Sequence, residues 1–203
     1  MAILPEPKVT RLVPRPVSAG FRCAWKNVSV SFHAAVFIAT SLDGYIARPD
    51  GSIDWLTERG EHAGDTGYDQ FMTSVDTVVL GRNTYEKVLT FDVWPYEGKQ
   101  VEVLSTTLDP DADERIIVHR TLDGLIETLN DRGAKRVYAD GGRVIQTFLR
   151  AGLLNELTIT TAPVLLGSGI RLFGDLDSDI PLTHNATRTL KAGFTQSDYT
   201  IHR

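Results

Sequence analysis

The sequence predicts an α/β fold: a mostly parallel central sheet, helices on its faces, and antiparallel strands toward the C-terminal end. Three observations predict it. His33 to Ser41 and Thr77 to Leu80 are continuous apolar runs, the mark of strands buried on both faces. Between such runs lie segments with apolar residues at helical spacing, and strands alternating with helices build parallel sheets. After Glu156 the strand-like runs follow one another without a helical segment, which adds antiparallel strands.

Taken in order, residues 1–33 stand apart from residues 34–203. Lys8, Arg11, Arg15, Arg22 and Lys26 face a single acid, Glu6, and Pro5, Pro7, Pro14 and Pro16 break any helix or strand. The segment lacks the apolar stretch and cleavage site of a secretory signal. A transit peptide is compatible with it; a flexible arm or leader-like extension fits better. The first strand, His33 to Ser41, runs into a loop, Ser41 to Leu56, whose Asp43-Gly44 and Asp50-Gly51 pairs signal turns. A helix is expected from near Asp65 to Ser74, then the strand Thr77–Leu80. Gly81-Arg82-Asn83-Thr84 opens a helix through Tyr85 and Val88. Asp92 to Gly98 is a loop, Gln100–Leu104 and Arg115–His119 are strands, and Leu122, Leu125, Ile126 and Leu129 share one helix face. Val137 to Asp140 is a buried strand, followed by the pair Gly141-Gly142. A helix follows with Val144, Ile145, Phe148 and Leu149 on one face. Glu156 to Ala162 is a strand with one wetter face. Leu190 to Ala192 and Phe194 to Ile201 are expected to pair as the closing strands.

The totals exclude several classes. The 203 residues suffice for one domain plus an arm, and a core of that size needs no staples. A net charge of -5 argues against a nucleic-acid binder. No apolar run approaches membrane-spanning length. One cysteine, Cys23, rules out an internal disulfide framework and fits a reducing, cytoplasmic setting. The five histidines show no metal-ligand spacing, so no metal is expected. Gly169 to Gly174 has the glycine spacing of a P-loop, but Asp175 stands where a lysine belongs.

Ligands of open α/β sheets collect at the carboxyl ends of strands. Two such ends are suggestive here. Gly141-Gly142 lets the backbone turn sharply and a ligand come close, while the following helix directs N–H groups at the gap. It is either a pyrophosphate cradle or a tight turn without a ligand. A positive φ or a cis bond is expected at Asp140-Gly141-Gly142. At the second end, Gly81 permits close approach and Arg82 offers a fork for a phosphate, unless it pairs with Glu86 one turn on. Ser105, Thr106 and Thr107 end the neighbouring strand with three hydroxyls.

These segments resemble a known family. Ser41-Leu-Asp-Gly-Tyr-Ile-Ala, Asp54-Trp55, Val78-Val-Leu-Gly-Arg-Asn-Thr-Tyr-Glu86, Val103-Leu-Ser105, Asp140-Gly-Gly-Arg-Val, Leu153-Leu-Asn-Glu-Leu and Pro163-Val-Leu-Leu-Gly-Ser-Gly occur in the order of the dihydrofolate reductase superfamily. Within it the chain most resembles stand-alone proteins similar to the C-terminal reductase domain of the bifunctional riboflavin biosynthesis deaminase-reductase. The resemblance implies a three-layer dihydrofolate-reductase-like fold, NADPH as hydride donor, a small-molecule substrate and a homodimer. Gly81, Arg82, Asn83 and Thr84 would hold the adenosine 2′-phosphate and adjacent phosphates, with Ser105 and Thr106 at the adenosine end. Gly141, Gly142, Arg143 and Val144 would hold the pyrophosphate. Ala39, Leu42, Tyr45, Ile46 and Trp55 would border the nicotinamide and substrate, with Asp43 the polar group nearest the reacting centre. The implied activity is NADPH-dependent reduction of a small polar heterocycle, first of all 5-amino-6-(5-phosphoribosylamino)uracil. Dihydrofolate reduction, or nucleotide binding without turnover, are the alternatives.

Overall fold

Strand β1 (His33–Ser41) lies inside the sheet and fixes its neighbours. A computed structural model describes residues 30–60 and 62–202; most of the expected arm, with Cys23, lies outside the described residues. Ala34, Ala35 and Val36 of β1 are buried, and β1 pairs in parallel with β6 (Arg136–Asp140) on one side and β7 (Leu154–Ala162) on the other. Outward from β6 come β3 (Thr77–Gly81), β4 (Gln100–Leu104) and β5 (Ile117–His119), all parallel. Beyond β7 lie β10 (Thr195–Ile201) and β9 (Leu182–Thr189), both joined antiparallel. The eight-stranded order is β5-β4-β3-β6-β1-β7-β10-β9. A separate two-stranded sheet joins β2 (Tyr45–Ala47) to β8 (Ile170–Arg171).

Both faces of the parallel part are covered, which is why its strands read as unbroken apolar runs. Val79 of β3 and Val137 and Ala139 of β6 pack on one face. There they meet Leu125, Ile126 and Leu129 of α4 (Leu122–Asp131) and Ile145, Phe148 and Leu149 of α5 (Gly142–Arg150). Val78 and Leu80 point the opposite way. They meet Tyr85 and Val88 of α3 (Arg82–Val88), with Phe71 and Met72 of α2 (Tyr68–Ser74) at the margin. One strand thus feeds two cores by its period of two.

The structure corrects five expectations. The long loop after β1 ends earlier, because α1 (Asp54–Gly60) forms where a loop to Leu56 and then mixed polar sequence were expected. Arg48 donates two hydrogen bonds to Asp54 at its start, and Trp55 is buried against Ala63, Ala162 and Phe194. Helix α2 begins at Tyr68, not near Asp65, since the Asp65 carboxylate accepts from Gly67 N and closes a turn. β5 begins at Ile117, because Arg115 is turned back onto Asp113 by backbone and side-chain bonds. The partner of β10 is β9, not Leu190 to Ala192, which falls in the turn between them, where Ala192 (φ 55) and Gly193 (φ 79) reverse the chain. Every residue of β9 is exposed, so backbone pairing defines it and no apolar alternation marks it. At the start of the domain, Phe32 is buried in the core beneath α4 and α5, so the folded unit includes residues assigned above to the arm.

Candidate functional site

Because β5, β4, β3, β6, β1 and β7 run parallel, their carboxyl ends share one edge. That edge carries Arg120, Ser105, Gly81, Asp140 and Ser41 in neighbouring places. The glycine pair sits near its middle. Gly141 has φ 92 and ψ 138, one of the two backbone outcomes expected there, and the described residues contain no cis bond. A Cβ on Gly141 would run into Thr84 Oγ1, and one on Gly142 would lie 3.0 Å from Ile46 Cδ1 and 3.2 Å from Arg171 O. The expected phosphate sites on α3 and α5 are therefore adjacent. Val144 packs toward Gly81, Gly142 is buried, and Arg143 projects into solvent. Gly142, Arg143 and Val144 form the first turn of α5, whose N–H groups precede any carbonyl that could pair with them inside the helix. A backbone that admits no side chain, beside open N–H donors and an exposed arginine, fits a diphosphate.

At α3, Arg82 and Asn83 are exposed and Thr84 is half-buried. Arg82 donates from Nη1 to Thr107 Oγ1 at 2.9 Å, while its Nε lies 3.4 Å from Glu86 Oε1. The pairing with Glu86 is thus present, beside a second contact that aims the fork along the edge. Ser105 is buried, and its hydroxyl accepts from the N–H groups of Thr107 and Leu108; Thr106 is exposed. The seryl hydroxyl holds the turn in shape, leaving Thr106 and the guanidinia as its outward groups.

The loop after β1 is clasped to the segment after β7. Ser41 Oγ donates to Asp43 Oδ1 at 2.6 Å and accepts from Tyr45 N. Asp43 also accepts from Leu166 N and from Gly167 N at 2.7 Å. The Ser41 hydroxyl, and then these N–H groups, hold the Asp43 carboxyl down at about 2. It is an anion that organises the loop and has no proton to give. Tyr45 is buried beneath the Arg171 guanidinium, 4.7 Å above its ring, and Arg171 also donates to its hydroxyl. Ile46 turns the other way, onto Gly142. Ala39 is half-buried and Leu42 is 66% exposed. Trp55 is buried, and its indole N–H has no partner among the described residues.

Sequence reading missed the proton chemistry of Asp140. Its Oδ1 accepts from Gly141 N at 2.8 Å, and Tyr96 OH lies 3.5 Å from its Oδ2. Tyr138 OH donates to Phe37 O, and Tyr68 packs edge-on against Tyr138. Burial pushes the Asp140 carboxyl up, against the opposing Gly141 N–H. Burial and the Asp140 charge push Tyr68 up to about 12 and Tyr96 and Tyr138 up as well. The Asp140 charge thus favours the neutral phenols, whereas hydrogen bonds from Tyr138 and Tyr96 oppose the upward shift that burial gives Asp140. The placing of Tyr138 two residues before Asp140 on a strand puts both on one face and was open to sequence reading; Tyr96, from a loop, was not. His119 is buried, and its Nε2 meets the buried Glu102 carboxylate at 2.6 Å. Among the described residues no cluster of His, Cys, Asp and Glu is arranged to hold a metal ion, and no helix is long and apolar enough to cross a membrane.

Comparison with known proteins agrees with this fold. The sequence model of the RibD C-terminal domain matches residues 33–195. The chain is 41% identical over 157 residues to the uncharacterized protein YwjB of Bacillus subtilis, covering 75% of this chain and 89% of that one. It is 26% identical over 175 residues to the riboflavin biosynthesis protein RibD of Corynebacterium ammoniagenes, of which it spans 48%. A crystal structure from Shewanella sp. PV-4, provisionally named a riboflavin biosynthesis protein, superposes with a TM-score of 0.77 at 41% identity, covering 85% of this chain and all of that one. Dihydrofolate reductase from Enterococcus faecalis, solved with NADP(H), shares the fold at a TM-score of 0.56 and 16% identity, covering 85% of this chain and 98% of that one.

Proposed function

The chain belongs to the RibD C-terminal domain family, and from that membership we propose that it is an NADPH-dependent reductase of a small polar heterocyclic substrate. The substrate proposed first is 5-amino-6-(5-phosphoribosylamino)uracil. The observation that carries the reading is the glycine pair: Gly141 at φ 92 against Thr84, opening α5 beside the exposed Arg143. Bound there, NADPH supplies a hydride.

The residues of the chain do the rest. Gly142, Arg143 and Val144 bind the diphosphate through the first turn of α5. Arg82 takes the 2′-phosphate at the far end. The clasped loop, pinned by Asp43, carries Ile46 against Gly142 and holds the wall on the nicotinamide side. Asp43 is thus a positioning residue. Asp140 is the residue assigned to proton transfer. Reduction of a C=N or C=O bond adds a hydride to carbon and a proton to nitrogen or oxygen. A carboxyl whose pKa burial raises, beside the site's glycine pair, is suited to give that proton.

The test is loss of nicotinamide absorbance on mixing the protein and NADPH with the ribosylaminouracil phosphate or, separately, dihydrofolate. Turnover of the first is expected. Tight NADPH binding with no turnover of either would replace the reductase reading with that of a nucleotide-binding protein.

A further inference from the structure

We infer that Arg120 is a second cation for the phosphate that distinguishes NADPH from NADH, shared with Arg82 across the turn Ser105–Thr107. The inference rests on the NADPH reading above and adds to it a residue that sets cofactor preference. Arg120 follows β5 directly, stands at the carboxyl edge and is exposed. Its Nη1 donates to Ser105 O at 2.9 Å. Arg82 reaches the same turn from the β3 side, with Nη1 on Thr107 Oγ1 at 2.9 Å. Since β4 lies between β3 and β5, the two guanidinia hold one tripeptide from opposite flanks. The turn is braced by its own bonds: Ser105 Oγ accepts from Thr107 N and Leu108 N, and Ser105 N donates to His119 O. The exposed Thr106 lies between the two cations.

Charge separates the two arginines. Arg82 already has the Glu86 carboxylate 3.4 Å from its Nε, and that anion opposes the approach of a phosphate. Arg120 makes no ion pair among the described residues, and the contact it does make is to a neutral carbonyl. Most of its fork stays available for a phosphate oxygen pair. The preference for a 2′-phosphate over a 2′-hydroxyl is therefore carried at least as much by Arg120 as by Arg82.

Calorimetric titration of native protein, Arg82→Ala, Arg120→Ala and Arg120→Gln with NADPH, NADH, adenosine 2′,5′-bisphosphate and 5′-AMP tests this. Native protein should prefer NADPH. Both Arg120 variants should lose roughly tenfold to hundredfold in affinity for NADPH and the bisphosphate, with NADH and 5′-AMP little changed. Glutamine keeps a neutral donor for Ser105 O, so its loss isolates the charge. Arg120→Gln binding NADPH as native protein does, or Arg120→Ala weakening all four ligands alike, overturns the inference. Native protein that binds both cofactors equally also overturns it, while leaving the reductase reading intact. Native protein that binds neither overturns that reading itself.

Discussion

Gly141 shows how much one backbone angle decides at the residue scale. At φ 92 a side chain is strained, and here it also meets Thr84 Oγ1. Gly141→Ala should destabilise the fold by about 1–3 kcal/mol from backbone strain alone, with the contact added. Denaturant unfolding of this variant and of Gly141→Ala/Thr84→Ala should show the double variant partly restored; equal losses would mean that Thr84 does not limit the space. Asp140 makes a second prediction. Its raised pKa keeps it an acid at low pH and converts it to a carboxylate as pH rises through the shifted value. Turnover should fall along that alkaline limb. Asp140→Asn should lower kcat by about 10²–10⁴-fold, flatten the limb and leave NADPH affinity nearly intact. A variant with native kcat would remove Asp140 from the chemistry.

At the scale of elements, the clasp between the loop after β1 and the segment after β7 depends on one anion. Asp43 joins Ser41, Leu166 and Gly167, and the β2–β8 pair extends the join to Arg171. Its pKa is lowered from 3.8 to about 2, so its contribution to stability is complete above about pH 4 and is lost as pH falls toward about 2. Asp43→Asn should therefore melt below native protein at neutral pH, with the gap closing in acid. Because the clasp carries Ile46 onto Gly142, the variant should also bind NADPH less well. A gap in melting temperature that stays constant from neutral pH to about pH 2 would refute the role of the anion.

At the scale of the whole molecule, the sheet ends in unequal edges. β5 has three residues, whereas β9 has eight, all exposed, with its outer backbone edge unpaired among the described residues. A long open edge is a template for another strand, and a two-fold pairing of β9 with its copy would close it. We propose a homodimer on that ground. Light scattering at micromolar concentration should give twice the chain mass; the mass of one chain would rule it out. The carboxyl edge with the glycine pair stays open in either case, since β9 lies three strands beyond β1.

The layered α/β plan, the parallel strands and the two glycine-bearing strand ends were legible in the sequence because burial on both faces leaves unbroken apolar runs. His33 to Ser41 and Thr77 to Leu80 say so directly. The helix after Gly142 was legible for the related reason that one face must be apolar. β9 was not legible, because an exposed edge strand is held by backbone bonds to β10 and needs no pattern of its own. Nor were the partners of Asp140 and Arg120. Tyr96 comes to Asp140 from a loop 44 residues away, and Ser105 meets Arg120 across 15. Local sequence determined which residues stand at the strand ends. Only the folding of the sheet decided which of them face one another, because desolvation and hydrogen bonding depend on neighbours that chain order does not reveal.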